Sequence, residues 1–143
     1  MKSKLTLTLM LTLSMVVSLV SFTTVQGQTR RRPVADTGVI TLGSNQMLRV
    51  VGDWNGDGFA SVQFRQVAYE PAGCNAGVCK HTVVSQSTSA PVMLMSGEAA
   101  SIDIDSYSFG IRAIVLSDNP NVRVNAMVVE KTTGNIICVL VGG

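Results

Sequence analysis

From Pro33 onward the chain alternates short apolar runs with clusters of Gly, Asn, Asp, Ser and Pro, and no window holds a helical period for three turns. That pattern predicts an all-β protein. Strands are expected over 39–42, 47–52, 60–69, 82–87, 92–95, 100–105, 111–116, 122–129 and 136–141. Turn signals separate them at Gly43-Ser44-Asn45, Asn55-Gly56-Asp57-Gly58, Ser96-Gly97-Glu98, Asp118-Asn119-Pro120 and Thr133-Gly134-Asn135.

Two runs also show which face is buried. Ile102 and Ile104 alternate with Ser101, Asp103 and Asp105, and Val122, Val124 and Ala126 alternate with Arg123, Asn125 and Met127. One side of each strand belongs to a core and the other to water. This density of strands predicts a two-sheet antiparallel sandwich of immunoglobulin-like type, with a jelly roll as the alternative. The run PVMLMS breaks the alternation, because Met93 and Met95 share one face while Val92 and Leu94 share the other. It predicts a central or interface strand, with methionine as a gap filler or contact residue.

The first 27 residues follow a different pattern. Lys2 and Lys4 precede an apolar run from Leu5 to Val20, and Val25 and Gly27 are small enough for a signal peptidase to read. Residues 1–27 are therefore expected to be a signal peptide cleaved before Gln28, so that the protein is secreted, periplasmic or held at the cell surface without a membrane span. The run is about 16 residues long, short for a span of roughly 20. An uncleaved anchor is the alternative, favoured by Arg30, Arg31 and Arg32 just beyond the run.

Division of the chain follows: residues 28–37 are expected to be a flexible basic tail and 38–143 one β-sandwich domain. Lys2 and Lys4 belong to the leader, so nine of the eleven Lys and Arg remain, against nine Asp and Glu. Three of those nine cations sit in the tail, which leaves the folded part mildly acidic and excludes a nucleic-acid-binding face.

Several stretches resemble a group of small secreted bacterial proteins with an immunoglobulin-like sandwich and no assigned activity. They are TGVITLGSNQMLRVVG (37–52), MSGEAASIDID (95–105), IRAIVL (111–116) and TTGNIICVLV (132–141). The group's usual Pro-Gly turn after the first strand is replaced by Ser44-Asn45. The resemblance implies a fold and an exported location, and no chemistry.

The candidate sites are few. In GDWNGDGF the residues Asp53, Asn55 and Asp57 stand at positions 1, 3 and 5 of a calcium loop, Gly58 at the sharp turn and Phe59 at the carbonyl position. Position 12, where a bidentate carboxylate should close the sphere, is Phe64, so a calcium ion would have to borrow Glu70, Asp118 or water. The same letters also suit a hairpin loop that needs positive φ.

Cys74 and Cys79 flank Asn-Ala-Gly-Val, a short flexible segment, and are expected to form a disulfide, leaving Cys138 as a buried free thiol in the last strand. The alternative joins one of them to Cys138 across the sandwich. Zinc would find only three crowded ligands in Cys74, Cys79 and His81. Met93 and Met95 could offer thioethers to Cu(I) beside His81 or a cysteine.

His81 is the one histidine of the chain, and no nucleophile elbow accompanies it. The expected function is therefore that of a secreted, non-enzymatic module with a surface, matrix or binding role, with no cofactor beyond weakly held calcium and with its partner unknown, a protein or cell-surface component being the candidates. A calcium-dependent extracellular module is the first alternative. A small periplasmic enzyme or copper carrier is the second.

Overall fold

The structure, a computed structural model, describes residues 30–105 and 109–141. The expected signal peptide and its cleavage point lie outside the described residues. Among the described residues nine strands run in chain order: β1 (Arg32–Asp36), β2 (Gln46–Trp54), β3 (Phe59–Asn75), β4 (Val78–Thr88), β5 (Val92–Met95), β6 (Glu98–Asp105), β7 (Gly110–Ser117), β8 (Arg123–Glu130) and β9 (Ile136–Val141). All pairings are antiparallel. One sheet has the order β1-β7-β3-β4 with β5 paired to β3, and the other has the order β6-β2-β8-β9. The protein is thus an all-β sandwich of two antiparallel sheets.

The alternating runs bury the faces their sequence assigns. Leu48, Val50 and Trp54 of β2, Ile104 of β6 and Val124, Ala126 and Val128 of β8 meet Ala60, Val62 and Phe64 of β3 and Ile111, Ala113 and Val115 of β7 in one core. Each fully buried Val, Leu or Ile contributes about 1.5–3 kcal/mol by leaving water, so this interlocked layer is the main source of stability. Outside the core, β2 holds β6 through Arg49–Asp103 (2.7 Å) and β8 through Arg123–Asp53 (2.8 Å), across directly opposed positions.

The structure corrects the N-terminal part of the sequence reading. Arg32–Asp36, placed in a flexible tail, forms the edge strand β1 against β7, with Arg32 opposite Ser117 and Asp36 opposite Ile114. Pro33 is accommodated because an edge strand can spare the missing N–H. Arg31 donates its Nε–H to the buried Ser61 hydroxyl (3.0 Å), and Arg112 pairs with Asp36. Residues 39–42, expected to be a strand, make only one bridge, between Ile40 and Ile111.

Neither end of the strand order stays under cover. β3 and β4 continue past the sandwich as a two-stranded arm over residues 70–82, and β4 returns to Thr88 as the edge of the sheet, every residue of 70–88 being exposed. At its tip, Asn75 faces Val78 across Ala76 (φ 50°) and Gly77 (φ 81°), the pair of positive φ values that a two-residue primed turn requires. β9 closes the other sheet as an edge strand, exposed at Ile136, Ile137, Val139 and Leu140. β5 is a short strand held by β3 alone, its Met93 and Met95 facing solvent, rather than a central strand.

Candidate functional site

The loop 55–58 joins β2 to β3, which lie in different sheets, so it crosses from one layer to the other and is not a hairpin. Its organiser is Trp54. The indole is buried, its Nε1–H donates to the Gly58 carbonyl (3.3 Å), and the Trp54 carbonyl accepts from Gly97 N–H (2.7 Å). The chain folds back so closely over the ring that a Cβ at Gly56 would stand 2.3 Å from two of its carbons. Gly58 supplies the left-handed turn at φ 75°.

Two of the three proposed calcium ligands, Asp53 and Asn55, meet on the guanidinium of Arg123. Asp53 Oδ1 accepts from Arg123 Nε (2.9 Å) and lies 2.8 Å from a terminal nitrogen of the same guanidinium. Asn55 turns its amide oxygen to that guanidinium and donates to the Trp54 carbonyl (3.3 Å). Asp57 is exposed and has no side-chain partner among the described residues. Asp118 accepts from the Ser61 N–H (2.8 Å), and Glu70 stands at the exposed base of the arm. A cation is thus already present, fixed to the chain as Arg123, and a calcium ion would have to displace it and gather oxygens now engaged elsewhere. Among the described residues no group of three His, Cys, Asp or Glu side chains is placed to hold a metal.

Cys74 and Cys79 are directly opposed on β3 and β4 and form a disulfide. The segment between them is a tight strand turn, not a flexible loop. With both sulfurs in that bond, the Cys74–Cys79–His81 zinc set is dismantled. Cys138 is free, and the structure places it on the surface rather than in the core, because no strand of the opposite sheet covers β9.

His81 faces Pro71 across the arm. Met93 lies opposite Ser61, ten residues earlier on β3, so about 30 Å of strand separates the methionines from the histidine. No copper set assembles there, and no hydroxyl or carboxylate is hydrogen-bonded to His81 among the described residues.

Two further surface groups are electrostatically tuned. The Arg49 guanidinium holds the Asp103 carboxyl below its ordinary value, and Arg112 does the same to Asp36, which also accepts from Gly38 N–H. Both arginines are raised in turn, Arg112 by Asp36 first and by Tyr69 second. These pairs brace neighbouring strands on exposed faces.

Set against family models, curated proteins and solved structures, the chain matches none of them. The feature that sequence reasoning missed is the arm. Its signal was the length of strand-forming sequence on both sides of Ala76-Gly77, which exceeds what one sandwich layer can cover.

Proposed function

We propose that this chain is an exported, non-catalytic binding module, immunoglobulin-like in type, that presents the β3–β4 arm to a protein or cell-surface component. The observation that carries the reading is the arm itself. Residues 70–82 form a two-stranded ladder, bulged at Pro71–Gly73, with both faces in solvent, so their order comes from cross-strand hydrogen bonds and the Cys74–Cys79 bond rather than from burial. A two-stranded ribbon is marginal in water, and a bridge at its tip gives it permanence. Val78 is exposed near its tip at 69%, and Val83 and Val84 at its root at 50% and 49%, with Lys80 and His81 between them. A rigid projecting ribbon of mixed apolar and polar character, with a free edge on β4, suits strand-addition or pocket contacts with a partner.

The disulfide at the exposed tip supports the exported location, since such a bond persists in an oxidising compartment. The test is saturable binding of the labelled protein to the envelope of cells that produce it. Binding is expected to fall at least tenfold in Val83→Asp/Val84→Asp, with the thermal midpoint held. Equal binding by that variant would refute the role of the arm. Intact mass of the exported protein is expected to give Gln28 as its first residue, and a full-length mass in the membrane fraction would refute cleavage.

A further inference from the structure

Asn55 is the only asparagine of the chain that is followed by glycine. The amide nitrogen of the next residue can attack an asparagine side chain, and glycine, having no Cβ, leaves that approach open. The other asparagines precede residues whose Cβ crowds the attack, and the nitrogen after Asn119 belongs to Pro120 and has no proton to lose. Asn55 is exposed where the chain leaves β2, and the Gly56 N–H donates to no group among the described residues. The attacking nitrogen is therefore not tied into the fold.

The fold adds a cation at the atom where charge would develop. Asn55 turns its amide oxygen to the guanidinium of Arg123 and donates from its amide nitrogen to the Trp54 carbonyl (3.3 Å). Arg123 is directly opposite Asp53 in the β2–β8 ladder and is held there by that carboxylate, its Nε 2.9 Å from Oδ1. When a nitrogen adds to an amide carbon the negative charge goes to the oxygen, and a guanidinium already fixed beside that oxygen favours the charged state over the neutral one. Arg123 is half-exposed, so water weakens the effect below that of a buried oxyanion site.

We propose that Asn55 is a site of spontaneous deamidation, opened by Gly56 and promoted by Arg123. The Gly56 nitrogen bonds to Asn55 Cγ and gives its proton to water. The Cγ–Nδ2 bond then breaks, and the amide nitrogen takes a proton from solvent and leaves as ammonia. A water opens the resulting five-membered imide at either carbonyl, so the net change is one water taken up and one ammonia released. Cleavage of the nitrogen bond to Cγ gives aspartate. Cleavage of the nitrogen bond to the main-chain carbonyl carbon gives isoaspartate, with one more carbon in the main chain between Trp54 and Gly56. Either product adds a negative charge beside Arg123 and Asp53. The longer chain also disturbs the seat of Gly56 on the buried indole, which is so close that a Cβ there would stand 2.3 Å from two ring carbons.

The full chain, purified as its host processes it, is held at mildly alkaline pH, sampled over time and cut with trypsin, with a digest at time zero as the reference. Trypsin releases residues 50–65, between Arg49 and Arg65, with Asn55 as their only asparagine. That peptide is expected to gain the mass of an amide turned into an acid, in aspartyl and isoaspartyl forms that chromatography separates, while the peptides holding other asparagines keep theirs. Asn55→Gln is expected to abolish the change, and Arg123→Gln to slow it about threefold or more while the melting curve shows a folded protein. Should Arg123→Gln fail to fold, Arg123→Lys serves in its place, because an ammonium lacks the fork that lets one guanidinium reach both Asp53 and Asn55. Retention of the amide in the folded protein, over a time in which the free peptide 50–65 loses it, would overturn the inference. So would faster loss at another asparagine, and equal rates in the parent and the arginine variant would overturn the part assigned to Arg123.

Discussion

Arg123 of β8 reaches across the ladder to Asp53 of β2, its Nε 2.9 Å from Oδ1, and thereby engages the first residue of the DWNGDG motif. The two residues are 70 positions apart in sequence, directly opposed in the sheet, and exposed enough that their attraction is modest. Their consequence is chemical rather than energetic: the first ligand of the motif is committed to a cation carried by the chain.

Calcium at millimolar concentration is therefore expected to leave the thermal midpoint unchanged. Occupancy at ten times a dissociation constant would add about 1.4 kcal/mol, several degrees in a domain of this size, which a melting curve resolves. A calcium-dependent rise that disappears in Asp53→Ala would show that the ion displaces Arg123.

Gly56 and Gly58 are expected to resist alanine for different reasons and with different symptoms. At Gly56 the added methyl meets the buried Trp54 ring, so Gly56→Ala is expected to cost about 1–3 kcal/mol as overpacking and to alter tryptophan fluorescence in the folded state. At Gly58 the space is open and only the backbone resists, at about 1–2 kcal/mol, with fluorescence unchanged. Chemical denaturation followed by Trp54, the one tryptophan, reads both. A neutral Gly56→Ala would mean that the loop is not packed on the indole.

The layered core was legible in the sequence wherever alternation was clean. Ile104, Val124 and Ala126 are buried and Asp103 and Arg123 are exposed as their two-residue period requires. Offset between sheets has no such local signal. Ile137 and Val139 look like core residues in the chain and lie in solvent because the facing sheet ends before β9, while Arg32–Asp36 looks like a tail and becomes a strand because β7 has a free edge. Of the candidate sites, Cys74 and Cys79 could be paired from their spacing. The loop could not be assigned, since Arg123 comes from another strand and only the topology brings it to Asp53.

Removing the arm disulfide is expected to act locally. The arm meets the rest of the protein only where β3 and β4 emerge, so Cys74→Ser/Cys79→Ser is expected to keep the midpoint within a few degrees while residues 70–82 become open to protease. The entropic gain of a bridge over so short a loop, about 2 kcal/mol, is confined to the ribbon. Collapse of the whole domain on reduction would contradict this.

Acid sensitivity follows from Asp36 and Asp103. Both carboxyls are held below their ordinary value by arginine partners, so their contribution is present above about pH 4 and is lost as pH falls through the lowered folded values. The pairs are exposed, and the effect is small. Asp36→Asn/Asp103→Asn is expected to flatten the fall of the melting temperature below pH 4 while leaving its value at pH 7 nearly the same. An unchanged acid limb would assign the loss to other carboxylates.

Amide hydrogen exchange of the protein, free and bound to the envelope fraction of producing cells, tests the central claim most directly, because it locates the working surface without naming the partner. In the free protein the residues of β2, β3 up to Tyr69, β7 and β8 are expected to exchange slowly, and the arm fast. On binding, protection is expected to appear over residues 70–88, with the Arg49–Asp103 face unaltered. Protection confined to the sandwich faces, or no change anywhere on binding, would contradict the account.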